Sequence, residues 1–169
     1  MERLAKKHNP TVSVSGITAY SRKIDFKKFG AIAKKVKAYH VADISHIAGL
    51  VAAGLHISPF PYADVIMTTT HKTLRGPRGA VIFSRKELAE KIDRAVFPGM
   101  QGGPHNNVTA GIAAMFGEAL KPGFKEYQRQ TLKNARVLGA GLQKRGFKLV
   151  SGATENHMML VDVRPFGLD

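Results

Sequence analysis

Apolar and polar positions alternate along this chain in a way that predicts short strands separated by amphipathic helices. Thr11 to Ser15 reads as a strand, and Asp25 caps a helix running to about Lys37, on which Phe26, Phe29, Ile32, Ala33 and Val36 recur at helical spacing. Tyr39 to Ala42 is a second strand, Ile47 to Ala53 a short helical stretch, and Ala63 to Thr68 a third strand. The prolines of Ser58-Pro59-Phe60-Pro61 punctuate the entry to that third strand. Strand, helix and strand in succession favour parallel pairing in a layered α/β domain. Gly79 to Phe83 is a further strand, but too few residues precede it for a parallel crossover, which takes about a dozen or more, so it should run antiparallel.

The second half reads as mostly helical. A helix near Glu87 to Ala95 leads to a glycine-rich loop at Pro98 to Pro104 and an apolar helix from about Val108 to Leu120. A long helix from Phe124 to Arg145 sets Tyr127, Leu132, Ala135, Leu138 and Leu142 to one side, the pattern of a packing stripe, and Gly146 is well placed to stop it. Lys148 to Val150 and Met158 to Val163 read as strands. There is no internal repeat, low-complexity segment or sustained heptad.

Two strand ends carry chemistry. The run Thr68-Thr69-Thr70-His71-Lys72-Thr73-Leu74-Arg75-Gly76-Pro77-Arg78-Gly79 places Lys72 among hydroxyls, an imidazole and a glycine-rich turn, at the edge where open α/β sheets bind ligands. Taken alone, Lys72 is a solvated loop lysine. His71 and Arg78 add two basic groups able to hold a dianion, and the turn through Gly76, Pro77 and Gly79 exposes amides suited to phosphate. The other end is Asp43 with His46 three residues later. Asp43 reads either as the N-cap of the helix that follows or as a carboxylate kept ionised against a ring nitrogen, and His46 as a loop histidine or a partner of the same ring.

Composition narrows the classes. With 169 residues, 44% of them hydrophobic, the chain can bury one core. The absence of cysteine excludes a disulfide framework and thiolate metal sites. No apolar run approaches the roughly 18 residues of a membrane span, and the start lacks a signal-peptide core, which makes cytoplasm the default. The net charge of +14 is the main rival clue, because 26 basic against 12 acidic residues suits a nucleic-acid-binding chain. Its placement argues otherwise: Lys27, Lys28, Lys34, Lys35 and Lys37 form the solvated face of the first amphipathic helix, with no interleaved aromatics. The seven histidines show no His-x-x-x-His pair, so no metal site is expected, and the hydrolase pattern Gly-x-Ser-x-Gly is absent.

Four ordered motifs carry a resemblance. They are Ser15-Gly16-Ile17-Thr18-Ala19-Tyr20-Ser21-Arg22, the segment Ala42 to Gly54, the threonine-rich Lys72 run, and Phe97-Pro98-Gly99-Met100-Gln101-Gly102-Gly103-Pro104-His105. Together they resemble the middle of serine hydroxymethyltransferases, pyridoxal 5'-phosphate enzymes of the aspartate-aminotransferase-like type I fold. That resemblance implies a three-layer α/β/α large domain, mostly parallel with one antiparallel strand. Residues 1–145 would be part of this domain and 146–169 the start of a smaller one.

The resemblance also implies roles. Lys72 would carry the cofactor covalently, Asp43 would pair with its pyridine nitrogen, and His46 would lie against the ring near its phenolic oxygen. Thr18, where many relatives have serine, would touch the cofactor. His71 would bind near the phosphate, Thr69 would belong to the polar surround of Lys72, and Arg78 would add a further cation. Gly103 would reach the phosphate of the neighbouring subunit, which implies a homodimer. The implied reaction interconverts serine plus tetrahydrofolate with glycine plus 5,10-methylenetetrahydrofolate, and the basic excess would suit polyanionic folate tails. Relatives begin upstream and continue downstream, so the chain is expected to be a fragment, inactive alone. Another enzyme of the same fold, a threonine aldolase or aminotransferase, is the nearer alternative. A non-catalytic basic fragment binding nucleic acid is the more distant one.

Overall fold

The structure is a computed structural model describing residues 1–168. Helix α1 (Glu2–His8) precedes β1 (Val12–Ser15), α2 (Phe26–Lys35), β2 (Tyr39–Asp43), α3 (Ala48–Ala52), β3 (Val65–Thr69) and β4 (Ala80–Ser84). Then follow α4 (Lys86–Arg94), α5 (Asn106–Ala119), α6 (Pro122–Lys144), β5 (Lys148–Leu149) and β6 (Val161–Asp162). The first four strands form one sheet in the order β1-β2-β3-β4, with β5 and β6 paired separately. β1, β2 and β3 run parallel, and β4 returns antiparallel to β3, as the short connection requires. The fold is mixed α/β with a mostly parallel sheet and one antiparallel pair.

Register decides where the chemistry gathers. Ser15 lies opposite Ala42, and Asp43 opposite Met67. The carboxyl ends of three parallel strands therefore finish level, and the loop after Ser15, the Asp43 end and the turn after Thr69 meet at one edge of the sheet. Ligands bind at this edge in open α/β sheets.

Strand alternation splits the sheet into two unlike faces. Ser15, His40, Ala42, Ile66 and Thr68 are buried under α2, α3 and the helices beyond them. Phe26 and Ala33 are the buried positions of α2, and the Asp25 carboxylate accepts the Lys28 amide at 3.0 Å as its cap. The core continues through Leu50, Leu74, Met115, Phe124 and Leu132, so α5 and α6 pack on this same side. His40 is accommodated there because both ring nitrogens are paired. Nδ1 donates to the Tyr62 carbonyl at 2.9 Å, which leaves Nε2 to accept from the Ser15 hydroxyl at 2.8 Å. The other face presents Val14 at 61% exposure, Tyr39 at 47% and Ile82 at 44%. A helical layer thus covers one face of the sheet within the described residues.

Several elements differ from the sequence expectation. Helix α1 was not expected, and it buries no residue; Glu2 pairs instead with Lys6 and with Lys35 of α2. The stripe expected on α6 is rotated. Its buried positions are Phe124, Gln128, Leu132, Ala135 and Gly139, while Tyr127 and Leu138 are exposed. Leu142 is half-buried. Strands β5 and β6 are only two residues each. The glycine-rich loop is entered through an irregular turn, Ala95–Met100, broken at the extended residue Phe97.

Candidate active site

The turn after β3 is held from several sides. The Thr70 amide donates to the Gly79 carbonyl at 3.0 Å, its hydroxyl to the Pro77 carbonyl at 2.6 Å, and its carbonyl accepts the Gly76 amide at 2.8 Å. The loop carrying Lys72 is therefore closed on itself at its neck. Thr73 fastens it to the core: its hydroxyl donates to the His46 carbonyl at 2.9 Å and accepts the Gly49 amide at 3.0 Å, while its carbonyl accepts Gln128 Nε2 at 2.8 Å. A side chain at Gly49 would collide with the Thr73 carbonyl, which is why α3 can approach the turn so closely. The Arg75 guanidinium lies 4.3 Å from the Tyr127 ring centroid, so the exposed Tyr127 clamps the turn through a cation–π contact.

Asp43 is fixed in a different way. Its Oδ1 accepts from the Ser45 amide at 2.9 Å and from the Ser45 hydroxyl at 2.6 Å. Ser45 Oγ in turn accepts the Thr69 amide at 3.0 Å, which couples the end of β2 to the end of β3. Both bonds fall on one carboxylate oxygen, leaving Oδ2 without a protein partner among the described residues. Asp43 is not the cap of α3, because Ile47 occupies that position and makes no side-chain cap bond. Gly16 lets the loop after β1 cross over it: a Cβ there would sit 2.7 Å from the Asp43 carbonyl oxygen and 2.8 Å from its Cβ.

These segments enclose a cleft of about 340 Å³ lined by Val14, Gly16, Ile17, Thr18, Asp43, His46 and Lys72. The structure thus brings together Lys72, Asp43, His46 and Thr18. Lys72 has no ion-pair partner among the described residues. Burial lowers the pKa of His46 below the ordinary imidazole value, the Lys72 charge adds to that, and Asp43 opposes it. Thr69 and His71 flank the lysine turn, each with a buried polar atom, Oγ1 and Nδ1, that has no partner. His71 Nε2 lies 3.5 Å from Arg78 Nη1. Gly103 is elsewhere, in an exposed loop with open space around it, and does not line the cleft.

Besides Ser45, which fixes Asp43, sequence reasoning passed over three residues that shape this site. Thr73 and Gln128 hold the turn, and a hydrophobic count is blind to both. The third is His157, whose ring stacks on His46 with centroids 6.1 Å apart. Its only signal in the sequence was a histidine in a downstream stretch, which sets it apart from no other.

The comparisons agree with one another. A family model described as serine hydroxymethyltransferase matches residues 1–169. Proteins named serine hydroxymethyltransferase from Dehalococcoides mccartyi strains BAV1 and CBDB1 are each 54% identical over 169 residues. These alignments take in 100% of this chain and 41% of each relative, so the chain spans well under half the length of the curated relatives it matches. With a whole-chain family match and strand ends that bring its lysine and aspartate motifs to one cleft, this chain belongs to the serine hydroxymethyltransferase family.

Proposed function

We propose that, in the complete protein, this chain forms the pyridoxal-phosphate-binding part of an enzyme that moves a one-carbon unit between serine and tetrahydrofolate. The observation that carries this reading is one cleft bearing a lysine and an aspartate from adjacent strand ends, with buried, unpartnered Thr69 Oγ1 and His71 Nδ1 beside the lysine. Unpaired buried polar atoms are costly, and an anionic, hydrogen-bonding ligand would satisfy them. The residues present therefore fit the cofactor. When bound, that cofactor supplies an electron sink for bond breaking at the α-carbon of an amino acid.

The chain's own residues would do the following. Lys72 Nζ would hold the cofactor covalently. Asp43 would keep a proton on the pyridine nitrogen through Oδ2, since Oδ1 is engaged by Ser45. His46 and Thr18 would border the ring, and Thr69 would line the polar surround of the lysine. His71, with Arg78 near it, would face the phosphate, two cationic or donor groups where a dianion needs them. Gly103, on its open loop, would serve the site of a second subunit in a homodimer. Residues 1–145 would belong to the large domain and 146–169 to the opening of a smaller one. Among the described residues no helix is long and apolar enough to cross a membrane.

The test is chemical. Pyridoxal phosphate added to the complete protein should give visible absorbance that borohydride converts to a stable adduct on Lys72. An adduct mapped to another lysine sinks the assignment.

A further inference from the structure

His157 lies outside the set of residues just assigned, yet it faces them. Its ring is stacked on that of His46, with centroids 6.1 Å apart and planes within 17° of parallel. Nδ1 is buried and has no partner. The backbone around it is anchored independently of the ring: Asn156 Nδ2 donates to the Tyr20 carbonyl at 2.9 Å, and Asn156 Oδ1 accepts the Met158 amide at 3.0 Å. On the other side of Asn156, the Glu155 amide donates to the Ser21 carbonyl at 2.8 Å, and the Glu155 carboxylate accepts the Lys23 amide at 3.1 Å. The segment is thus tied to the loop that carries Thr18. An apolar side chain would fill this place without leaving a buried nitrogen unpaired, so packing alone does not explain an imidazole.

We propose that His157 is a positioning residue for His46, its flat ring face holding the His46 ring in the cleft between Lys72 and Asp43. The assignment rests on the reading of that cleft as the cofactor site. The charged groups facing His46 are Asp43 from the end of β2 and Lys72 from the turn after β3, with His157 from the downstream segment. Burial comes first in lowering the pKa of both imidazoles, and Lys72 acts on each in the same direction. Each ring is therefore held neutral more firmly than a free imidazole. A neutral His46, fixed by a stacked partner, keeps one donor and one acceptor nitrogen for whatever occupies the cleft.

Imidazole C2-hydrogen exchange, read residue by residue by mass spectrometry, tests this on the complete protein. In His157→Ala, His46 should exchange several-fold faster, with its titration midpoint moved up towards the ordinary 6.5. His157→Phe, which keeps a flat ring, should return both to the unsubstituted values, and His157→Leu, which fills space without one, should not. The buried His40 reports whether the sheet persists. Unchanged His46 exchange in the Ala and Leu variants overturns the proposal. So does failure of Phe to rescue, or loss of His40 protection in both Ala and Leu, which would make His157 a core residue only. Borohydride labelling in the same samples of pyridoxal-phosphate-treated protein separates the two ideas. No Lys72 adduct in the unsubstituted complete protein counts against the cofactor reading while the exchange result stands on its own.

Discussion

The two faces of the four-stranded sheet are built from the same strands and have opposite fates. On one, Ala42, Ile66 and their neighbours disappear beneath α2, α3, α5 and α6, and even the histidine there has both nitrogens paired. On the other, Val12, Val14, Tyr39 and Ile82 lie exposed although they are as apolar as a core. Asp43 alternates onto that second face, and its carboxylate lines the cleft at the strand ends. The difference teaches that holding the site and stabilising the chain are separate tasks here. The covered face supplies the stability, and the edge of the open face supplies the chemistry.

The largest effect expected from this contrast is on the covered side. Phe26→Ala removes a side chain with no exposure from the centre of the core and should cost about 3–5 kcal/mol, read from the midpoint of urea unfolding. Val14→Ala on the open face should cost about 0.5 kcal/mol or less by the same measurement. Equal losses would mean that the open face is covered in solution by something that burial in this chain does not reveal.

A smaller effect, confined to chemistry, is expected at the seam. Asp43→Asn keeps an oxygen to accept from Ser45, so the fold and cofactor uptake should persist. The complete protein should nevertheless lose most of its turnover, because a neutral amide cannot hold the ring proton; the charge-assisted bond forfeited is worth roughly 1.5–3 kcal/mol. Turnover close to that of the unsubstituted protein would reduce Asp43 to a turn residue that orders Ser45.

The smallest change in stability belongs to the open face itself. Val14→Thr combined with Ile82→Thr should leave the urea midpoint within about 0.5 kcal/mol of the unsubstituted chain. It should also reduce binding of an apolar dye and self-association in sedimentation, since a contiguous apolar surface drives both. If association is unchanged, the contacts lie elsewhere.

Much of the fold was legible because the relevant signals are local. The Asp25 cap, the apolar spacing of α2 and the shortness of the connection from β3 to β4 each predict what the structure contains. Helix α1 gave no such signal, since it buries nothing and rests on ion pairs from Glu2. In α6 the period holds and Leu132 and Ala135 are buried as expected, but the stripe turns away from Tyr127 and Leu138. Gln128 and Gly139 occupy buried positions because a turn carbonyl needs a donor and Leu149 needs room, and neither residue registers as apolar. Tyr127 was counted as core, whereas the cation–π contact with Arg75 keeps it at the surface.

The sequence by itself determined the strand and helix order after α1, the family, and the strand-end positions of Lys72 and Asp43, because these depend on residue type and spacing along one segment. Only the tertiary structure decided that Thr18, Asp43, His46 and Lys72 share a cleft, and that Ser45 and Thr73 hold it in shape. The same holds for His157, more than a hundred residues from His46 along the chain yet stacked on it. Such contacts come from parallel register and from helices folding back over one face, and a chain carries no local mark of which distant residue it will meet.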